Sequence, residues 1–216
     1  PDDIEKALND AESKVFSVSE SQVGDNSEKV QVLLGQALEK LEERAEKGDA
    51  ITGVPTGFAD LDRILLGLQP GTLNIVGARP AMGKSAFALN IAVHAAQATN
   101  SPVLFFSLEM GKAELTQRIL ASEASVDGNV LRMGRPSEDD WSKIGRAVAR
   151  LDVPLIIDDS AGTTVGQIRA KARRTYSREG GLALIVIDYL QLMGGDGRPE
   201  NRQLEVSDIS RKLKLL

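Results

Sequence analysis

Residues 51–216 predict a three-layer α/β domain, and three observations support it. Four near-continuous apolar runs recur along this stretch: TLNIV at 72–76, VLFFS at 103–107, PLIID at 154–158 and LALIVID at 182–188. Strands buried on both faces of a parallel sheet read this way, because neither face turns to water. Helical patterns fill the gaps, near 84–98, 112–124, 137–150 and 164–178. Such alternation places helices on both sides of a mostly parallel sheet. The third observation is GARPAMGKS, residues 77–85, lying between the first apolar run and the helical stretch AFALNIAVHAAQA. A loop this rich in small residues lets a bound group come close to the main chain.

Ahead of that domain the chain reads as two helices. In residues 3–20, Ile4, Leu8, Ala11, Val15 and Val18 recur at steps of four and three, giving one narrow apolar stripe. Gly24, Asp25 and Asn26 break the pattern. A second helix is expected from about Ser27 to Lys47, with Val30, Leu33, Leu34, Ala37, Leu38 and Leu41 on one face and Gly48 as its cap. The expected organisation is therefore a first helix in 1–24, a connecting helix in 25–50 and the α/β domain in 51–216. The stripe of the first helix suits either folding back on its own domain or docking on a neighbouring subunit. Pro1 stands where Met would open a complete chain, and SRKLKLL ends in a helical pattern, so an internal piece of a longer protein is expected.

With 216 residues, 42% of them apolar, most of the chain should fold around one sizeable core. The absence of cysteine excludes disulfides and thiolate metal sites and fits a cytoplasmic protein. No apolar run reaches membrane-spanning length and no secretory pattern opens the chain, so no membrane role is expected. The net charge of −5 argues at first against nucleic acid. Its distribution softens that objection: residues 1–50 hold 13 acidic and 6 basic side chains, residues 51–216 hold 18 acidic and 20 basic. A local basic surface on the larger part is compatible with these figures.

GARPAMGKS nearly matches G-x-x-x-x-G-K-[ST], with Ala78 in the first glycine place. The backbone of Ala78, Arg79, Pro80, Ala81, Met82, Gly83, Lys84, Ser85 and Ala86 would wrap phosphates, helped by the positive end of the following helix. Lys84 would contact the β- and γ-phosphates, and Ser85 would ligate Mg²⁺. A second oxygen for the metal is sought at a strand end. Asp188 closes LIVID, while Asp158 and Asp159 close PLIIDD. The longer and more apolar strand favours Asp188. Glu109, just past VLFFS, is placed either to activate water or to open the next helix as a solvated acid. Gln191, three residues after Asp188, suits a γ-phosphate sensor. The loop GGDGRPENR at 194–202, with Arg198, Asn201 and Arg202, reads either as a nucleic-acid contact or as a surface turn. The bland readings are packing for His94, a helix-start anchor for Trp141, and a solvated face for Arg169, Lys171, Arg173, Arg174 and Arg178.

Three stretches in order, GVPTGFADLDRILLGLQPGTLNIVGARPAMGKSAFALNIA, VLFFSLEM and LIVIDYLQLM, resemble the bacterial replicative DNA helicases of the DnaB family, and NRQLEVSDISRKLKLL fits the same pattern. The resemblance spans essentially all of residues 51–216. It implies a RecA-like P-loop ATPase core that uses ATP and Mg²⁺, encircles single-stranded DNA as a ring homo-hexamer, and works with a primase and a helicase loader. It implies that Lys84 and Ser85 are phosphate-loop residues, Glu109 the catalytic glutamate, Asp188 the Mg²⁺-supporting aspartate and Gln191 the γ-phosphate sensor. The first helix then matches the linker that docks on the adjacent subunit. The family's N-terminal domain and its arginine finger are not in this sequence, so the core is expected to be truncated at its C-terminal end, binding nucleotide but hydrolysing it poorly. The competing readings are a RecA-like recombinase or clock-type ATPase that does not unwind, and a nucleotide-binding assembly module. A GTPase is disfavoured because Asn-Lys-x-Asp occurs nowhere.

Overall fold

The computed structural model describes residues 28–47, 51–194 and 202–216. The chain divides into two compact units, Pro1–Asp49 and Ala50–Leu216. In the first, helix α1 (Val30–Lys47) carries the expected stripe, with Val30, Leu33, Leu34, Leu38 and Leu41 all exposed. The helix expected at 3–20 lies outside the described residues.

The second unit contains α2 (Ala59–Leu65), α3 (Lys84–Thr99), β1 (Val103–Ser107), α4 (Lys112–Ala124), α5 (Gly128–Met133), α6 (Glu138–Arg150), β2 (Leu155–Asp158), α7 (Val165–Glu179), β3 (Leu184–Asp188) and α8 (Arg202–Lys214). The three strands form a parallel sheet in the order β2-β1-β3. Every residue of β1 is buried, as its central place requires. Its side chains alternate between two cores, following the two-residue period of a strand. Val103 and Phe105 pack with Leu89 and Val93 of α3 and Leu115 and Ile119 of α4. Leu104 and Phe106 pack with Ile168 and Ala172 of α7 and Ile209 and Leu213 of α8. This is the three-layer arrangement that the alternating pattern predicts.

Helix boundaries have local causes. Ser137 and Asp140 form a reciprocal capping box at the start of α6, and Thr164 and Gln167 form another at the start of α7. Gly180, at φ 75°, closes α7 in the left-handed conformation that glycine adopts without strain. Trp141 does not anchor the start of α6. It is 60% exposed, and the capping box fixes that helix start instead.

The run 72–76 departs from expectation. It forms no strand and pairs with none among the described residues. Leu73, Ile75 and Val76 are 39, 74 and 49% exposed. A strand apolar on both faces needs a ladder partner and a covering layer on each side. Among the described residues β3 has a hydrogen-bonded neighbour only in β1, and nothing encloses this run. Its composition alone does not supply those partners.

Candidate active site

The loop that leads into α3 takes its shape from two left-handed residues. Ala81 has φ 65° and Gly83 φ 84°, with Met82 between them outside the positive-φ region. Alternation of hand turns successive N–H groups toward one side, the geometry of an anion-binding nest. A Cβ at Gly83 would meet nothing within 4 Å, so glycine is required there by its backbone conformation rather than by lack of space. Gly83 is also the N-cap of α3, which puts the unpaired amides of that helix at the loop.

The turn before the loop is fastened to the same helix. Asp62, buried, accepts hydrogen bonds from the Thr56 amide and hydroxyl, each at 2.8 Å, and from the Gly57 amide at 3.1 Å. The next ring, Phe58, lies 4.8 Å from Phe87 of α3. Gly57, at φ 82°, sits against His94, whose ring atom Cγ would lie 2.6 Å from a Cβ there. The packing role expected of His94 holds.

Lys84 opens α3 and points at the end of β3. Its Nζ lies 2.9 Å from Asp188 Oδ1 and 3.9 Å from the centre of the Tyr189 ring. Asp188 is only 2% exposed, and its other oxygen, Oδ2, is buried without a hydrogen-bond partner among the described residues. A desolvated carboxylate oxygen left unpaired is costly, so it marks a place for a donor or a cation. With the Ser85 hydroxyl in the first turn of α3, this donor set fits a hydrated Mg²⁺. Such an ion keeps several waters and takes one or two carboxylates together with substrate phosphates. Among the described residues no cluster of three or more His, Asp or Glu side chains is placed to cage an ion.

Glu109 follows β1 on a turn held from inside. The Ser107 hydroxyl donates to the Met110 carbonyl at 2.6 Å and accepts from the Met110 amide at 3.3 Å. The Leu108 amide donates to the Asp188 carbonyl at 2.7 Å, extending the β1–β3 register by which Ser107 pairs with Asp188. Glu109 is therefore one residue from a direct main-chain bond to Asp188. It is exposed and carries no hydrogen bond or ion pair among the described residues.

The rival acids are already engaged. Burial pushes the Asp158 carboxyl up, but Lys171 and the Ser160 hydroxyl and amide outweigh it and hold the group at about 2. Asp159 is held below the usual carboxylate range, chiefly by the Lys112 amide, against a smaller opposing effect of burial. All three acids thus have basic or amide partners, and Asp188 differs from the other two in its buried, unpartnered Oδ2. Lys171 does not belong to a purely solvated basic face, because it is committed to Asp158.

Gln191 lies in the short 3₁₀ turn Leu190–Leu192 that follows β3. Arg198 and Asn201 fall outside the described residues, and only the backbone of Arg202 is described, at the start of α8. The structure thus joins Lys84, Asp188 and the Glu109 turn at the carboxyl end of the sheet. Sequence reading missed Ser107 and Tyr189, and weighed Asp159 only as a rival for the metal. A serine two residues before the candidate base and a tyrosine beside Asp188 are visible signals. Nothing in the spacing pairs Asp159 with Lys112.

A nest at a helix N-terminus, whose lysine meets a carboxylate at the carboxyl end of a parallel strand, defines a P-loop-type α/β domain. Comparison with known proteins narrows the class. The chain belongs to the DnaB-like helicase C terminal domain family, whose family model matches residues 53–216. It is 44% identical over 217 residues to the replicative DNA helicase DnaB of Geobacillus stearothermophilus, and 43% identical over 215 residues to the replicative DNA helicase DnaC of Bacillus subtilis (strain 168). Those alignments cover 100 and 99% of this chain but 48 and 47% of the relatives, so the chain spans about half their length. The fold matches a solved structure of a DnaB-like replicative helicase, described with its interactions with primase, with a TM-score of 0.79 at 32% identity, over 96% of this chain and 50% of that one. It also matches a solved ATPase domain with a TM-score of 0.81 at 33% identity, over 88% of this chain and 67% of that one. Among the described residues no helix is long and apolar enough to cross a membrane.

Proposed function

We propose that this chain is the motor part of a replicative DNA helicase, driving translocation on single-stranded DNA and duplex unwinding by ATP hydrolysis. The observation that carries the reading is the Lys84–Asp188 contact at 2.9 Å beside a Glu109 turn bonded to the Asp188 main chain. The loop at 78–83 and the amides at the start of α3 would cradle the triphosphate, and Lys84 would bond its β- and γ-oxygens. Ser85 and Asp188 would hold Mg²⁺, which when bound supplies charge neutralisation at those oxygens. Glu109, with no competing partner, would orient and deprotonate the attacking water. Gln191 would sense the γ-phosphate.

The assembly proposed is a homo-hexameric ring, with residues 1–24 as the linker that docks on the next subunit, 25–50 as the connecting helix and 51–216 as the motor domain. The exposed apolar stripe of α1 supports a contact surface in this part of the chain. Single-stranded DNA would run past the 194–202 loop, through Arg198, Asn201 and Arg202. Primase and a helicase loader are the proposed protein partners; a structural relative is described in its interactions with primase. Action on chromosomal DNA implies the cytoplasm.

The test is ATP turnover by the protein that carries this chain, with and without single-stranded DNA, followed by strand displacement on forked DNA. Stimulation by DNA together with displacement is expected. Stimulation without displacement would favour a recombinase or clock-type ATPase, and no turnover at all would favour a binding module. Glu109→Gln should lower turnover by roughly 10²–10⁴-fold while leaving nucleotide affinity unchanged.

A further inference from the structure

The turn between β2 and α7 touches both segments that the proposed chemistry depends on. At one end, Asp159 Oδ2 accepts from the Lys112 amide at 3.1 Å, and its Oδ1 lies 3.4 Å from Lys112 Nζ. Lys112 opens α4, three residues after Glu109. At the other end, the Thr163 carbonyl accepts from the Gly194 amide at 3.2 Å, three residues after Gln191. A Cβ at Gly194 would lie 2.5 Å from the Gly162 carbonyl oxygen, so two backbones meet there with no room for a side chain.

The stretch between these contacts is stiff. Asp158 accepts from the Ser160 amide at 3.0 Å and hydroxyl at 2.7 Å and is paired with Lys171 of α7. The Thr163 hydroxyl donates to the Ser160 carbonyl at 2.8 Å. The Thr164 capping box then fixes the start of α7. Met193, beside Gly194, is buried in the core that also holds Val165 and Ile168. From Asp159 to Thr163 the turn is bonded internally, to α7, to the Glu109 side and to the Gln191 side.

We propose that Asp159 is a positioning residue for Glu109, and that the turn it opens ties the Glu109 turn to the end of the Leu190–Leu192 turn so that the two shift as one unit. The proposal rests on the ATPase reading for its catalytic consequence, though not for the mechanical link. The Glu109 turn is pinned on one flank by Asp188, through the Leu108 amide, and on the other by Asp159, through Lys112. Removing the second pin frees the turn that carries Glu109 to shift on its α4 side. Small misplacement of a catalytic group is felt in the rate of the chemical step more than in binding.

The experiment compares Asp159→Ala, Asp159→Asn and Lys112→Ala in the full-length protein. Asp159→Ala should lower kcat by roughly tenfold or more with KM for ATP and thermal midpoint little changed. Asp159→Asn keeps an acceptor for the Lys112 amide and should recover most of the rate. Lys112→Ala keeps that amide and should lose less than Asp159→Ala. Equal kcat in wild type and Asp159→Ala, or a loss that Asp159→Asn does not recover, overturns the positioning role. Hydrogen exchange separates the link from the ATPase reading, because it needs no turnover. In Asp159→Ala the amides of Lys112 and Gly194 should lose protection together, and loss at Lys112 alone overturns the link. Wild-type protein without ATP turnover would defeat the ATPase reading, and the exchange result would still decide the link.

Discussion

VLFFS and TLNIV are both five-residue, mostly apolar runs that lead into a loop of the site, yet they end in opposite environments. The first, β1, is buried at every position between β2 and β3. The second, at 72–76, pairs with nothing among the described residues, and its large side chains are exposed. Burial is therefore a property of the neighbours as much as of the run. The same contrast divides the site. Asp188 and the Glu109 turn stand on paired strands, β1 fully buried and β3 half-buried up to its buried Asp188. The nest from Ala81 to Gly83 is anchored from its far side, by α3 and by the Lys84–Asp188 contact, rather than by the strand expected before it.

Mutations on the two runs should break this comparison most visibly. Phe105→Ala removes a fully buried ring and should cost about 3–5 kcal/mol of stability, measured by urea unfolding. A value below about 1 kcal/mol would mean that β1 is not the centre of the core. Asp158, at the same end of the sheet as Asp188 but on the outer strand β2, offers a smaller, pH-dependent effect. Its folded value of about 2 lies below the unfolded one, so the unfolded chain binds more protons in the window between them. The stabilisation is fully present above about pH 4 and lost as pH falls toward about 2, amounting to about 2 kcal/mol. Lys171→Met should flatten that dependence, and an unchanged slope between about pH 2 and about pH 5 would show that Lys171 does not hold the carboxylate down. The smallest effect is expected from Ile75→Ala, within about 0.5 kcal/mol, because the side chain is 74% exposed. A loss near that of Phe105→Ala would show the run to be enclosed after all.

Much of the fold was legible because its signals are local. The apolar period marks β1 at 103–107 without error and places four helices within one or two residues of their ends. Asp188 could be preferred over Asp158 because its strand is longer and more apolar. What stayed hidden depends on partners far away in the chain. Asp158 meets Lys171 13 positions on, and Asp159 meets Lys112 47 positions back, so neither engagement leaves a trace in spacing. The failure at 72–76 has the same origin, since apolar composition shows that a run can be buried but not what covers it. Trp141 misleads for the converse reason: a large ring suggests an anchor, while two small polar groups, Ser137 and Asp140, start the helix.

The central claim is that the main chain around Lys84 grips a triphosphate, with Asp188 supporting its metal. Calorimetric titration with ATP in the presence of Mg²⁺ tests it most directly, comparing wild-type protein with Lys84→Ala. The account predicts measurable binding that weakens at least about tenfold in the variant, since a hydrogen bond from a charged group is worth roughly 1.5–3 kcal/mol. Equal affinity in the two proteins would contradict it.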